Sequence, residues 1–331
     1  PLLVLLDTPA EILEDAYRYI IVIDYGVLVM FAYNLCAGLL RAIGNSFMPL
    51  VFLLLSSGLN ILLDLLFIAR MGMGVQGAAV ATVISQGVSV LLCIVYVFAK
   101  VKLLLPEKKH FRVGRHLYWE LFSQSICMGL MSSIVSAGSV VLQYGINGLG
   151  TLVIAGHTAA RKMFMFTDMP LLSMASAGST FVSQNCGAGQ PGRVRKGMKE
   201  IYLYSVVVAV AAVLLMRVAA PWMVAFVSGS SEPIVLENGA RYLLWNAPFY
   251  AVLGILLSTR YALQSLGNKV LPLFSSVIEL VGKVVFVVLF IPKFGYDAVI
   301  LCEPIIWCVM AAYLVAVYRH DPFVFPKREK R

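Results

Sequence analysis

The chain has 331 residues, of which 60% are hydrophobic and only 13% charged. Soluble domains carry roughly 25% charged residues, so too little charge is present to cover a water-facing surface, and a soluble globular enzyme is excluded. A net charge of +9 suggests nucleic acid in a soluble protein, but most of the basic side chains here stand in short gaps between apolar runs, where membrane topology explains them first. No nucleic-acid partner is expected.

A helix needs about 20 apolar residues to cross a bilayer core. The opening PLLVLL meets Asp7 at once and is too short to cross; it reads as the end of a helix that begins upstream. Spans are expected at 16–39, 47–69, 75–99, 118–145, 151–183, 201–227, 239–262, 270–292 and 298–318. Gly, Pro, Asn or charged clusters separate them. The fold class is therefore all-α, a polytopic membrane protein with nine spans. The fourth and fifth spans carry many small and polar residues, which argues for burial among other helices. Cys36, Cys93, Cys127, Cys186, Cys302 and Cys308 are scattered without CxxC spacing and read as small core residues.

The gaps sort by charge. One set holds Arg41, then Lys100, Lys102, Lys108, Lys109, Arg112 and Arg115, then Arg193, Arg195, Lys196 and Lys199, then Lys269, and ends in a tail with Arg319, Lys327, Arg328, Lys330 and Arg331. The alternate set holds only Arg70 and Lys293, with the acids Asp7, Glu11, Glu14, Asp15, Glu232, Glu237 and Asp297. Positive charge accumulates on the cytoplasmic side, so the basic gaps and the C-terminus are expected there.

Sliding the chain along itself by 223 residues sets Arg18-Tyr19 on Arg241-Tyr242, Gly44-Asn45 on Gly267-Asn268, Pro49-Leu50 on Pro272-Leu273, Phe67-Ile68 on Phe290-Ile291 and Gly72 on Gly295. Chance readily matches Leu with Val, but rarely aligns Arg-Tyr, Gly-Asn and Pro-Leu in one register. Such repeats mark transporters, with the substrate site at the repeat interface. Spans seven to nine follow three others, whereas nothing complete precedes spans one to three. Three further spans are expected upstream, giving six plus six. The expected organisation is part of a first lobe over 1–99, a cytoplasmic inter-lobe loop over 100–117, a second six-helix lobe over 118–318 and a basic cytoplasmic tail over 319–331.

Four motifs carry a family resemblance: LLRAIGNSFMPL from Leu39, GLNILLDLLFI from Gly58, GMGVQGAAVATVIS from Gly72 and TFVSQNCGAGQPGRVRKG from Thr180. Together they resemble the multidrug and toxic compound extrusion (MATE) family, and the similarity runs over essentially the whole chain as helices four to twelve of a twelve-helix, two-lobe fold. The resemblance implies a secondary active antiporter that exports cationic or amphipathic drugs in exchange for Na⁺ or H⁺ by alternating access. It implies a bacterial inner-membrane setting, and the chain is expected to act as a monomer with no other cofactor. The alternative on the same fold is a flippase for a lipid-linked precursor, which calls for a more basic cavity. A membrane-embedded transferase wants a DDxxD-type carboxylate cluster, and none is present.

Ionisable residues inside a membrane are functional candidates by default. Asn60 and Asp64, four apart on one helix face, suit a hard cation or a proton; a buried pair that only fixes packing is the alternative. The resemblance extends this site to Thr82 on the next helix, in the manner of the family's DNA-damage-inducible branch. Glu279 and Lys283 are likewise four apart and stand opposite Ser56 and Asn60 in the repeat. They form either a self-satisfied ion pair or part of a second-lobe coupling or substrate cavity. Asp24 faces a cavity or the outer interface. Gln143, Asn147 and Asn34 can offer hydrogen bonds to a bound drug. Arg161, Lys162 and Asp168 are expected to balance one another, and His157 to mark a helix end.

Overall fold

The computed structural model describes residues 10–108, 112 and 114–326, with side chains from Leu13 onward. The opening PLLVLL with Asp7, the Glu11 side chain, Lys109 and the tail residues Lys327, Arg328, Lys330 and Arg331 lie outside the described residues. Every regular element among the described residues is helical. An apolar chain in lipid has little choice, because a helix satisfies its backbone polar groups internally.

The elements are α1 (Ala10–Ala42), α2 (Phe47–Asp64), which runs into a π-helical turn over Leu65–Arg70, α3 (Gly74–Lys100), α4 (Arg115–Asn147), α5 (Thr151–Gly187) and α6 (Pro191–Ser228). Next come α7 (Pro233–Asn246), a 3₁₀ turn over Ala247–Phe249 and α8 (Tyr250–Ser265). Then follow α9 (Val270–Val285), a second π-helical turn over Phe286–Phe290, the short α10 (Ile291–Phe294) and α11 (Tyr296–Arg319).

Among the described residues, eight helical segments are long and apolar enough to cross a membrane. The one that differs from the expected nine is α5. It has 37 residues, but His157, Arg161, Lys162 and Asp168 and a run of Ser, Ala and Gly hold its hydropathy down. The seventh expected span is interrupted in the middle. Pro248 lacks an amide proton, and the ladder tightens there before α8 resumes. The sixth begins at Pro191, earlier than the expected 201, because the basic stretch Arg193–Lys199 is already helical.

The chain divides into two compact units, Pro1–Val113 and Gly114–Arg331. In the first, α1 and α2 both pack on α3, around Leu40, Phe52 and Cys93. Small polar side chains stitch α2 to α3: Ser56 Oγ donates to Ser85 O at 2.8 Å and Ser89 Oγ to Phe52 O at 3.1 Å. In lipid, packing by small residues and interhelical hydrogen bonds replaces the hydrophobic drive between helices.

In the second unit α5 packs on α6, α7 and α8, α4 lies against α9, and α11 lies against α7, α8 and α9. Two glycines let α5 and α7 touch backbone to backbone. A Cβ on Gly156 would stand 2.6 Å from Val235 O, and one on Gly239 would stand 2.9 Å from Gly156 O. That approach sets the height at which Arg161, a turn beyond Gly156, meets Tyr242 of α7.

The repeat holds in three dimensions. α1 ends with Gly44 at φ 87° and α8 with Gly267 at φ 86°. Asn45 N donates to Leu40 O at 2.9 Å and Asn268 N to Leu263 O at 3.0 Å; Gly44 N donates to Arg41 O at 2.9 Å and Gly267 N to Gln264 O at 3.0 Å. These are two copies of one left-handed glycine cap, 223 residues apart. Gly72 and Gly295 also share positive φ, at 65° and 57°. Each copy carries a π-helical turn on the way to that glycine, ending at Arg70 in the first and, ahead of the short α10, at Phe290 in the second.

Candidate functional site

In the first unit, Asn60 and Asp64 stand one turn apart on α2, and neither is exposed. Asp64 Oδ1 and Asn60 Nδ2 are buried atoms without a hydrogen-bond partner. Native proteins leave few such atoms, because each costs about 1–3 kcal/mol. The amide oxygen and nitrogen of Asn60 exchange by a half-turn of the terminal torsion, so that position can hold an acceptor. Two oxygens one turn apart, one of them charged, suit a small hard cation; the carboxylate alone suits a proton. Thr82 is half-buried on α3, which packs on α2. Its Oγ1 donates to Ala78 O at 2.9 Å and keeps its lone pairs for a further contact. The π-helical turn begins directly after Asp64. Such turns shift the backbone ladder by one residue and gather at functional sites.

In the second unit Arg161, Tyr242, Glu279, Lys283 and Glu303 are joined in one network, while Asn246 Oδ1 and Arg260 Nη2 are buried without hydrogen-bond partners. Lys283 Nζ donates to Glu279 Oε1 at 2.8 Å and lies 3.9 Å from Glu303 Oε1. Glu303 Oε2 in turn accepts from Arg161 at 2.7 Å and from the Tyr242 hydroxyl at 2.6 Å. Arg161 also donates to Tyr242 at 3.2 Å. Four helices, α5, α7, α9 and α11, are tied by two acids and two bases whose charges cancel. His157 closes one side with its ring edge-on to Tyr242 and Tyr296. Phe164 stacks on Trp307 and receives Arg161 over its face at 4.9 Å.

Sequence reasoning missed the centre of this network. Arg161, Lys162 and Asp168 were expected to balance one another on one helix, but the Arg161 guanidinium pairs with Glu303 of α11. His157 was expected to mark a helix end, and it is buried near the start of α5. Glu303, only 5% exposed, had a signal of its own: it is the one acid in the apolar body of α11, between Cys302 and Pro304. Of the other expected residues, Gln143 Nε2 donates to Asn147 Oδ1 at 2.8 Å, both exposed, and Asn34 Nδ2 donates to Met30 O of its own helix at 2.8 Å. Asp24 is exposed on α1. None of these four meets the buried residues above through a hydrogen bond or ion pair within the described residues.

The MatE family model matches residues 1–66 and 128–289. Among curated proteins, the chain is 30% identical over 258 residues to a probable multidrug resistance protein, YpnP, of Bacillus subtilis, an alignment that covers 77% of this chain and 56% of that protein. It is 22% identical over 300 residues to the multidrug export protein MepA of Staphylococcus saprophyticus, covering 87% of this chain and 64% of MepA. The chain thus spans less than two thirds of the length of either relative. Among solved structures, one described as MATE in the bent conformation superposes with a TM-score of 0.82 at 23% identity, over 96% of this chain and 71% of that one. That likeness establishes the fold.

Proposed function

The chain belongs to the MatE family, and from that premise we propose that it serves a secondary active antiporter that exports cationic or amphipathic drugs in exchange for Na⁺ or H⁺ by alternating access. The observation that carries the coupling half of this reading is the pair Asn60 and Asp64. They place two buried polar atoms without partners in an apolar span, where a charged side chain costs about 2.5–3.5 kcal/mol. A cation bound by Asp64, Asn60 and Thr82, or a proton on Asp64, removes that cost. The export half is supported by what the relatives are named for, multidrug resistance and multidrug export. The basic gaps and the tail support a cytoplasmic C-terminus in a bacterial cell, and the reading takes the transporter as a monomer. The flippase alternative calls for a more basic cavity; Lys283 and Arg161 are engaged by acids, whereas Arg260, buried on α8, donates to Ser275 Oγ and keeps Nη2 without a partner.

The test is ethidium efflux from cells stripped of their own pumps, with the gene expressed from its whole reading frame beside an Asp64→Asn variant at matched protein level. Efflux by the parent and none by the variant supports the reading. Equal efflux by both removes Asp64 from coupling. No efflux by a well-expressed parent, across several cationic dyes, removes drug export.

A further inference from the structure

At the end of the second unit where α6 begins and α11 ends lies a pocket of about 550 Å³. Its rim is basic: Arg195, Lys196 and Lys199 from the first turns of α6, and Arg319 from the last turn of α11. Its wall is apolar, formed by Met198, Val315 and Phe325 with the rings of Tyr202 and Tyr318. Among the described residues, no carboxylate makes an ion pair with any of the four cations. The nearby acids are committed elsewhere. Asp321 accepts from Asn268 Nδ2 at 2.9 Å, Phe323 N at 3.0 Å and Val324 N at 3.1 Å, which folds the chain after α11 so that Phe325 roofs the pocket. Glu200 lines a separate depression with Met174, Phe181 and Tyr204.

A second observation points independently to a ligand. Tyr318 lines the pocket, is only 5% exposed, and its hydroxyl is buried without a hydrogen-bond partner. A buried hydroxyl is normally satisfied. Here it stands close to Arg195 and lines the same pocket as the other three cations. Phe325 links the two features: its ring lies edge-on to Tyr318 at 5.9 Å and beneath the Arg195 guanidinium at 5.8 Å. The N-terminus of α6 adds its positive helix dipole.

We propose that this pocket binds the phosphodiester of an anionic membrane lipid, with the phosphate oxygens on the cationic rim and the Tyr318 hydroxyl, and the glycerol and upper acyl carbons against Met198, Val315 and Phe325. The shared chemistry is a phosphate, and the apolar wall selects the lipid over the free ion. Basic pockets between transmembrane helices are a recurring form of anionic headgroup recognition. The site is separate from Asp64 and from the Glu303 network, so it stands whether or not the coupling reading does.

The experiment is lipid titration of the purified, detergent-solubilised protein, with bound lipid read by native mass spectrometry and stability by thermal unfolding. The probes are phosphatidylglycerol, phosphatidylcholine and inorganic phosphate. Phosphatidylglycerol should be retained and raise the unfolding temperature, while phosphatidylcholine and inorganic phosphate should do neither. Neutralising one rim cation, Arg195→Gln or Lys199→Gln, should weaken phosphatidylglycerol about fivefold, since each basic residue near an anionic surface contributes about 1 kcal/mol. Tyr318→Phe should weaken it about tenfold, the value of one hydrogen bond to a charged group, while leaving the lipid-free unfolding temperature unchanged or higher because the hydroxyl has no protein partner to lose. Equal retention of phosphatidylcholine overturns the proposal, as do variants that bind like the parent. Saturation by inorganic phosphate alone, with displacement of the lipid, overturns the lipid assignment.

Discussion

Glu303→Gln isolates what the buried network does. The substitution keeps the shape of the side chain and removes one charge from a group of four. Arg161 and Lys283 balance Glu279 and Glu303 in the parent, and the variant leaves the group at one net positive charge. The Arg161 bond at 2.7 Å loses its charged acceptor, and Lys283 keeps only Glu279. Removing one partner of a buried ion pair costs about 3–5 kcal/mol. The Glu303 side chain is 7% exposed but that of Arg161 is 33% exposed, so water reaches the guanidinium and the lower end, about 3 kcal/mol, applies. At about 2–4 °C per kcal/mol for a domain of this size, the unfolding temperature should fall by about 6–12 °C. Arg161→Gln with Glu303→Gln restores neutrality and leaves the Glu279–Lys283 pair intact. That double variant should be more stable than Glu303→Gln alone, with a coupling of about 1–2 kcal/mol. Fluorescence-detected thermal unfolding in detergent reads all four corners of the cycle. A Glu303→Gln variant within about 1 °C of the parent, or strictly additive single variants, would show that these charges are solvated independently and do not hold the helices together.

Three further outcomes follow from the same geometry. Gly156→Ala places a methyl 2.6 Å from Val235 O and should cost about 1–3 kcal/mol by overpacking, whereas Gly129→Ala, with nothing within 4 Å of its Cβ, should be neutral or slightly stabilising; thermal unfolding of both separates packing from helix propensity. If Na⁺ is the coupling ion of the proposed antiport, a hundredfold excess over its dissociation constant should stabilise the parent by about 2.7 kcal/mol and Asp64→Asn by nothing at constant ionic strength, read by a NaCl against choline chloride titration; no difference between the two salts assigns the carboxylate to a proton. Lys283→Met should destabilise more than Lys283→Met with Glu279→Gln, because the single change leaves the Glu279 carboxylate, 12% exposed, without its cation; denaturation midpoints check the order.

The helices and their repeat were legible because they rest on local rules. Span lengths follow from the bilayer, and the glycines of the two caps must adopt positive φ wherever they stand, so Gly44 and Gly267 mark the same turn in sequence and in space. Asn60 with Asp64 and Glu279 with Lys283 were legible for the same reason, since spacing on one helix is a local fact. Glu303 with Arg161 was not. The pair is 142 residues apart, and which face of α5 meets α11 depends on the Gly156–Gly239 approach, a property of three packed helices that no single span contains. Interhelical choice also misled the reading of Arg161, whose own helix offers Asp168 but whose packing offers a closer acid.

The two copies of the repeat show how one scaffold can carry two roles. They share the glycine cap, the Pro-Leu start of the following helix and a π-helical turn, so backbone energetics are alike in both. They part at the polar positions. Asn60 of the first copy corresponds to Lys283 of the second, and Asp64 to Val287. Changing amide for ammonium removes a cation's ligand and supplies a cation instead, and the acids around it change to match: Glu279 and Glu303 close on Lys283. A network whose acids are already paired with bases has little to offer a passing ion, and it holds its helices in one arrangement. A carboxylate with an unfilled oxygen has the opposite property, because it is most stable with a cation or proton present and least stable without one. Only the second kind of site can make its occupancy matter to a conformational equilibrium, since a ligand shifts a balance only by its differential affinity. On the proposed antiport reading, coupling is therefore to be sought at Asp64, and the clasp at Glu303.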